Sequence, residues 1–346
     1  CGATDPIAPG ITPGSGPAHL ALFGYDPLQF DIGRGILSAL GIGFPVEGSD
    51  VAARANFATV DPQGLISDRR AGRPSTEVNR QLVEKLRQIQ VPGCQIFVET
   101  ESQHRALVVF RGEGLSDQLT DSDPQVLGAA PLRVQGTAPE AGRTAELVNT
   151  FLDRSREALA DSYPANALLL RGFAKYPDIP RMPDVYGISP AGIAIYPMYK
   201  GLARLVGMDT FHGGETFGDS VAVLEEQWSK HDFFYLHLKA TDSAGEDGDF
   251  DRKVSVIEDA DRYIPEMLAL EPDVMVVTGD HSTPSVLRSH SWHPVPFLLH
   301  SKHAFPDPVD RFAERYLVHG GLGRFPAVDA LRLMLGYAGK INKYGA

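Results

Sequence analysis

The stretch that most constrains this chain is an apolar run that ends in an acid and an imidazole. Val274 to Val277 are apolar or β-branched, and a Thr-Gly pair then leads to Asp280 and His281. Such a run predicts a strand that is buried on both faces, as in a parallel sheet. Ligands of open α/β sheets usually bind beyond the carboxyl ends of the strands. We therefore expect Asp280 and His281 to lie at a functional edge of the sheet.

A second imidazole follows the same strand. His290 lies between Asp280 and a further apolar run at 296–299. One carboxylate and two imidazoles suit zinc or manganese. A polar surface loop between two strands explains the same pattern, so this stretch alone leaves both interpretations open.

Composition excludes several classes of function. The chain has 346 residues, 43% of them hydrophobic and 22% charged, which is typical of a soluble globular protein of one or two domains. Its net charge of −12 argues against a nucleic-acid partner or an anionic membrane, but not against a small anionic substrate. Cys1 and Cys94 are too few for a disulfide framework, and no transmembrane run or signal peptide is visible, so we expect a cytoplasmic protein.

The order of the predicted elements indicates an α/β core with an insert. Alternating helices (144–160, 221–228, 254–268) and strands (165–170, 233–238, 274–277, 296–299) predict a mostly parallel sheet with helices on both faces. Residues 47–132 instead combine one amphipathic helix with three strands, the pattern of a small α+β domain. We therefore predict a core of residues 1–46 and 133–346 with residues 47–132 inserted as a domain that caps the substrate.

A second acidic cluster also follows a predicted strand. Asp242 and Glu246 stand just after the strand at 233–238. Acidic loops of this kind are usually turns or helix caps. Together with Asp280, His281 and His290, however, they provide enough ligands for two divalent cations, the arrangement that stabilises the attacking and leaving oxygens in phosphoryl displacement.

Ser15 is the candidate nucleophile. It immediately precedes a predicted helix at 17–23, where backbone N–H groups favour a bound anion. A hydroxyl bound to a metal loses its proton more easily and becomes a nucleophile at neutral pH. The alternative interpretation is an ordinary helix-capping serine.

These motifs resemble those of the cofactor-independent phosphoglycerate mutases of archaeal type, which also occur in bacteria and belong to the alkaline phosphatase superfamily. The resemblance spans nearly the whole chain and rests on six segments: Pro13-Gly-Ser15-Gly-Pro-Ala-His19, Asp68-Arg-Arg-Ala-Gly-Arg73, Leu170-Arg-Gly172, Lys239-Ala-Thr-Asp242-Ser-Ala-Gly-Glu246, Thr278-Gly-Asp280-His281 and Leu322-Gly-Arg-Phe-Pro-Ala-Val328. It implies an alkaline-phosphatase-like fold and an isomerase of glycolysis and gluconeogenesis, which needs no 2,3-bisphosphoglycerate.

The resemblance also implies a role for each site residue. Ser15 would be phosphorylated during turnover and would join Asp280 and His281 around one metal. Asp242 and His290 would hold the second metal, with His293 outside the ligand set. The metals would be manganese, zinc, magnesium or cobalt.

The chain departs from the family pattern at two places. Glu246 stands where related mutases carry a histidine, and a glutamate oxygen also binds these cations. In addition, the family's first strand ends in a metal-binding aspartate, so we expect a strand ending in Asp-Gly ahead of Cys1.

Phosphoglycerate carries a phosphate and a carboxylate, and arginine binds both groups through paired hydrogen bonds. Arg171, at the end of a predicted strand, is the first candidate, and Asp121 and Asp123 are candidates for holding hydroxyls. The remaining candidates are Arg69, Arg70, Arg73, Arg111 and Lys175. Surface salt bridges are the alternative role for each of these residues.

The predicted reaction interconverts 3-phosphoglycerate and 2-phosphoglycerate. Ser15 would take the phosphoryl group from the C3 oxygen and return it to C2, while the insert keeps water away from phosphoserine. Two alternatives remain: a metal-dependent phosphatase or other hydrolase of the same superfamily, and a catalytically inactive binding protein.

Overall fold

A computed structural model describes residues 1–30, 32–317, 319–341 and 343. Its contacts divide the chain into two compact units. The first comprises Cys1–Asp31 and Ile179–Ala346, and the second comprises Ile32–Asp178. The second unit contains the predicted insert, 47–132, and extends beyond it on both sides. The reason is that the flanking helix and strand pack on the same sheet as the predicted insert, as described below.

The second unit is an antiparallel sheet covered by helices. Its elements are β2 (Asp50–Val60), β3 (Ile66–Asp68), β4 (Gln95–Ser102), β5 (Arg105–Arg111), β6 (Ala167–Ala174), α2 (Arg34–Ile42), α3 (Thr76–Arg87) and α4 (Gly142–Ala158). The strands follow the order β3-β2-β5-β4, and β6 also pairs with β2. The long central strand β2 therefore organises this unit.

The two faces of β2 differ in chemistry because successive side chains of a strand point to opposite faces. Ala53, Ala55 and Phe57 belong to the apolar core with residues of α3 and α4. Arg54 and Asn56 project from the opposite face. There Gly35 of α2 lies so close to the Ala52 carbonyl that a Cβ atom would be only 2.0 Å from its oxygen. The sheet thus has one apolar face and one polar face.

The first unit contains the elements that carry the predicted nucleophile and metal ligands. Its strands are β1 (Gly2–Asp5), β7 (Pro190–Ala194), β8 (Asp209–His212), β9 (Phe233–His237), β10 (Val274–Thr278), β11 (Val295–Ser301) and β12 (Gly323–Pro326). Its helices are α1 (Ser15–Leu22), α5 (Met182–Tyr186), α6 (Pro197–Leu205), α7 (Phe217–Gln227), α8 (Ala240–Asp247), α9 (Phe250–Asp261), α10 (Ile264–Ala269), α11 (Glu314–Leu317) and α12 (Ala330–Tyr337).

Two sheets make up the first unit within the described residues. The order β8-β7-β9 is parallel throughout. The order β10-β11-β1-β12 is mixed, because β11 runs antiparallel to both β10 and β1 while β12 is parallel to β1. The protein is therefore a mixed α/β structure with several sheets, and the expected mostly parallel arrangement is seen in only one of them.

Several predicted elements have different bounds in the structure. β1, β7 and β8 were not predicted, because each is only four or five residues long and gives too short a pattern. The strand expected to end before Arg171 continues to Ala174. The single helix expected at 254–268 is two helices, α9 and α10, and Pro265 occupies the first turn of the second, where its missing N–H costs no hydrogen bond. Among the described residues, no helix combines the length and apolarity needed to cross a membrane.

Candidate active site

Ser15 is the first residue of α1, and its hydroxyl does not cap that helix. The N-cap of this helix is Gly14, and the helix has no side-chain cap. The Ser15 Oγ atom instead lies 3.0 Å from His281 Nε2. The capping interpretation of Ser15 is therefore wrong, and its hydroxyl stands among the unpaired N–H groups of a helix N-terminus, where negative charge is stabilised.

Asp280 and His281 follow β10 directly, as the sequence predicts. Asp280 Oδ2 lies 3.2 Å from His281 Nε2 and 3.3 Å from Nδ1 of His19. His19 is one helical turn after Ser15, and its Nδ1 donates a hydrogen bond of 2.8 Å to the Ser15 carbonyl. The i, i+4 spacing on α1 is the sequence signal that would have revealed His19.

A hydrogen-bond chain fixes the His281 ring. Thr283 Oγ1 donates to Asp242 Oδ1 and lies 3.1 Å from His281 Nδ1, so it accepts the Nδ1 proton. The Nε2 lone pair of His281 then points to Ser15 and Asp280. Burial, the largest influence, lowers the His281 pKa and keeps the ring neutral. Thr283 was not predicted, because its role depends on tertiary contacts.

Asp242, in the first turn of α8, meets His290 from the loop that follows β10. Asp242 Oδ1 lies 3.7 Å from His290 Nε2, and His290 Nδ1 donates to the Pro13 carbonyl at 2.9 Å, which leaves Nε2 as an acceptor. Burial raises the pKa of Asp242, but hydrogen bonds from Lys239 and Thr283 outweigh that effect and hold the pKa below its usual value. The carboxylate is therefore ionised at neutral pH.

These side chains form a group with the geometry of a metal site. The ligand atoms of Asp242, His281 and His290 all lie within 4.8 Å of one another, and the two imidazole rings stack with centroids 3.7 Å apart. Glu246 is more exposed, and its Oε1 lies 3.8 Å from His290 Nε2. His293 lies apart from this group, with its Nδ1 2.9 Å from Ser291 Oγ.

The chemistry of these donors fits a divalent cation. Asp280 Oδ2 is buried and has no hydrogen-bond partner among the described residues. This oxygen lies 3.2 Å from His281 Nε2, which carries no proton because the ring proton is on Nδ1. Two hydrogen-bond acceptors therefore face each other. A buried carboxylate oxygen without a partner is costly, and a bound cation satisfies both acceptors. Oxygen and imidazole ligands suit the cations expected from the sequence.

The second unit contains a separate cationic cavity of about 190 Å³. It lies on the polar face of the sheet, where Arg54 pairs with Arg171 across β2 and β6 and Asn56 pairs with Arg105 across β2 and β5. Its lining residues are Arg34, Arg54, Asn56, Arg69, Arg70, His104, Arg105 and Arg171. Six guanidinium groups around so small a space indicate an anion-binding site.

Buried carboxylates hold these arginines in place. Arg69 donates two hydrogen bonds to Asp123, at 3.0 and 2.6 Å, and Arg171 Nη1 lies 3.6 Å from the same carboxylate. Arg54 donates to Ser38, which donates in turn to the fully buried Glu101. Burial, the largest influence, together with the charges of Arg171 and Arg54, lowers the pKa of Arg34 to about 10, which still leaves it charged at neutral pH.

The structure brings only some of the predicted substrate residues to this cavity. Arg171, Arg70 and Arg69 line it, whereas Arg73 and Lys175 do not. Neither Asp121 nor Asp123 lines the cavity: Asp121 Oδ1 accepts a hydrogen bond from the Gly172 N–H at 2.7 Å, and Asp123 binds Arg69.

Arg111 has a structural role, because its guanidinium group is bound by a neighbouring buried carboxylate. It donates to both oxygens of the buried Asp50, at 2.6 and 2.7 Å, and lies over the Phe97 ring. Sequence reasoning missed Arg34, Arg54, Asn56, His104 and Arg105. Arg54 and Asn56 were inside a predicted strand, and their shared face was the signal that would have found them.

Comparisons with known proteins show which family the chain resembles over its whole length. Residues 1–166 match the family model described as 2,3-bisphosphoglycerate-independent phosphoglycerate mutase. A Thermus thermophilus protein named probable 2,3-bisphosphoglycerate-independent phosphoglycerate mutase is 49% identical over 350 residues, which span 100% of this chain and 86% of that protein. The chain belongs to this mutase family. Its members are isomerases, and the resemblance inferred from the motifs is confirmed.

Two solved structures are similar to this mutase-family chain. The cofactor-independent phosphoglycerate mutase from Thermoplasma acidophilum is 31% identical and superposes with a TM-score of 0.68, covering 97% of this chain and 88% of its own. A Pyrococcus horikoshii protein is 30% identical, with a TM-score of 0.85 over 100% of this chain and 88% of its own. The likeness extends through both units of the chain.

Proposed function

We propose that this protein interconverts 3-phosphoglycerate and 2-phosphoglycerate through a phosphoserine at Ser15, without 2,3-bisphosphoglycerate. The observation that carries the proposal is the Ser15 hydroxyl at the N-terminus of α1, 3.0 Å from His281 Nε2 and beside a buried acidic and imidazole cluster. Family membership supports the same reaction. The pathway context would be glycolysis and gluconeogenesis in the cytoplasm, where the two free cysteines of the chain would stay reduced.

Two groups of residues would each hold one divalent cation. Ser15, Asp280 and His281 form one group, and Asp242, Glu246 and His290 form the other. Manganese, zinc, magnesium or cobalt would serve, since all accept oxygen and imidazole ligands. When bound, such cations lower the pKa of the serine hydroxyl and neutralise charge on the transferred phosphoryl group.

The protein's own groups would orient the reacting atoms. The N–H groups at the start of α1 would stabilise the phosphoryl oxygens. Thr283 holds Asp242 and His281 in the observed geometry, and His19 binds the Ser15 carbonyl. In the first transfer the Ser15 Oγ–phosphorus bond forms as the Ser15 hydroxyl loses its proton, the bond from phosphorus to the C3 oxygen breaks, and that oxygen takes up one proton. The reverse sequence at the C2 hydroxyl gives the product.

We assign the two units to different tasks within an alkaline-phosphatase-like architecture. The first unit would carry the metals and the nucleophile. The second, which includes the predicted insert, would act as a substrate-capping domain whose arginine cavity binds the anionic groups of phosphoglycerate. Retention of glycerate between the two transfers would prevent hydrolysis of phosphoserine, because hydrolysis requires water at the phosphorus atom.

Product analysis tests the proposed function. The full polypeptide is incubated with 3-phosphoglycerate and each of the four metals, without 2,3-bisphosphoglycerate. Formation of 2-phosphoglycerate without free phosphate supports the mutase. Release of inorganic phosphate as the main product would establish a hydrolase of the same superfamily. A Ser15→Ala variant is the matched control and should form neither product.

A further inference from the structure

The cationic cavity contains more than anion-binding groups. Guanidinium groups only donate hydrogen bonds, and six of them line the cavity. Carboxylate and phosphate oxygens only accept when ionised, so arginines alone satisfy them. Among the described lining residues, Asn56 and His104 are the two whose side chains also offer neutral acceptor atoms. A fully ionised anion has no hydrogen to donate to those acceptors.

Both residues have a buried side-chain polar atom that lacks a hydrogen bond within the described protein. Asn56 Oδ1 and His104 Nδ1 are buried without a hydrogen bond, and the residues themselves are 9% and 3% exposed. An unsatisfied buried polar group costs about 1–3 kcal/mol. Two such groups at one cavity, beside Arg171 Nε, which also lacks a hydrogen bond, indicate a site completed by a ligand.

His104 stays neutral in this environment. Burial, the largest influence, and the charges of Arg105, Arg70 and Arg73 lower its pKa to about 4. A neutral imidazole keeps one ring nitrogen as an acceptor, whereas a protonated ring would only donate. The cavity therefore presents donors and neutral acceptors together at physiological pH.

We propose that the cavity recognises a small hydroxy acid, with arginines on its carboxylate and with Asn56 and His104 accepting hydrogen bonds from its hydroxyl groups. A hydroxyl can fill an unpaired acceptor, which a second anionic group cannot do. This inference rests on the proposed function, since glycerate, the species held between the two phosphoryl transfers, is such an acid. It assigns hydroxyl recognition to Asn56 and His104 in place of Asp121 and Asp123, which do not line the cavity.

Ligand-observed NMR titration of the Ser15→Ala variant tests the inference, because no phosphoryl transfer takes place there. The probes are D-glycerate and propionate, which share a carboxylate and differ in their hydroxyls. We expect D-glycerate to bind at least about tenfold more tightly, since a site built to bind a hydroxyl discriminates against the analogue without it. Equal affinity for the two acids would overturn the inference.

Substitutions of Asn56 and His104 test whether these two residues cause the preference for D-glycerate. Asn56→Leu and His104→Leu should each reduce the preference for D-glycerate about tenfold, and His104→Gln, which restores an acceptor, should recover part of it. Asn166→Leu is the matched control, because Asn166 bonds the backbone of Val60 at the other end of β2 and lies outside the cavity lining. It should leave the preference unchanged.

The outcomes separate this inference from the proposed function. An unchanged preference in both His104 variants overturns the inference, even if Asn56→Leu fails to fold. A preference for D-glycerate, combined with a lack of mutase activity in the protein that retains Ser15, supports the cavity assignment while removing the proposed reaction. Mutase activity with no preference for D-glycerate supports the proposed reaction and overturns the cavity assignment.

Discussion

Replacement of Asp123 by alanine tests the structural basis of the cationic cavity. The Asp123 side chain is fully buried and accepts hydrogen bonds from Arg69 Nε, Arg69 Nη2 and the Gln125 N–H at 3.0, 2.6 and 2.8 Å. Burial raises its pKa, but these hydrogen bonds and the charges of Arg69 and Arg171 together hold the pKa below its usual value. Its charge therefore stabilises the folded state at neutral pH, and this contribution is lost as the pH falls below about 4.

The expected cost of Asp123→Ala is large. Removing one partner of a buried ion pair costs about 3–5 kcal/mol, because the remaining charges stay buried without compensation. A loss of about 4 kcal/mol corresponds to roughly a thousandfold increase in the population of the open state. Asp153→Ala is the matched control, since the Arg133–Asp153 pair is exposed on both sides. Exposed pairs contribute at most about 1 kcal/mol.

Hydrogen exchange followed by mass spectrometry measures this difference within the second unit. Peptides from β2, β5 and β6 report its sheet, whereas both tryptophans, Trp228 and Trp292, lie in the first unit and would not report it by fluorescence. Exchange in these peptides should accelerate about a thousandfold in Asp123→Ala and less than about tenfold in Asp153→Ala. Equal acceleration in the two variants would refute the buried-pair reasoning.

Three further predictions concern titration, metal binding and substrate binding. Because the pKa of His104 is about 4 in the folded protein and 6.5 without its environment, folding stability should fall by up to about 3 kcal/mol as pH drops from 6.5 to 4. Denaturation across this range should show a shallower loss in His104→Gln, and parallel curves would contradict the assignment. Glu246→Gln should weaken binding of one of two metal ions in a calorimetric titration, and unchanged binding of both would show that Glu246 is not a ligand. Arg171→Met should raise KM for 3-phosphoglycerate at least about tenfold. Arg111→Met should instead lower thermal stability and leave KM within about twofold. A raised KM for Arg111→Met would restore the predicted role of Arg111 in substrate binding.

The metal and nucleophile cluster was predictable because each of its parts follows a strand or starts a helix. Ser15 starts α1, Asp242 lies in the first turn of the helix after β9, and His281 and His290 follow β10, where ligands of α/β sheets usually bind. The residues that orient them were not predictable in this way. Thr283 acts through a bond to Asp242, forty-one positions earlier in the chain, and nothing local marks that contact.

The cationic cavity was harder to predict from the sequence, for a different reason. Its arginines come from β2, β5, β6, the start of α2 and the turn after β3, so their convergence depends on the strand order and register. Arg111 shows the same limit. It faces Asp50 across β2 and β5, and this register gives Arg111 a structural partner. The order of residues along the chain does not reveal that register.

The most direct test of the central claim is detection of phosphate on Ser15 during turnover. Acid quenching of the metal-loaded protein with 3-phosphoglycerate, followed by digestion and mass spectrometry, identifies the phosphorylated residue. We predict phosphoserine at Ser15 within the first turnover, at a level that falls when the substrate is removed. Continued formation of 2-phosphoglycerate by the Ser15→Ala variant, or phosphate on a different residue, would contradict the account.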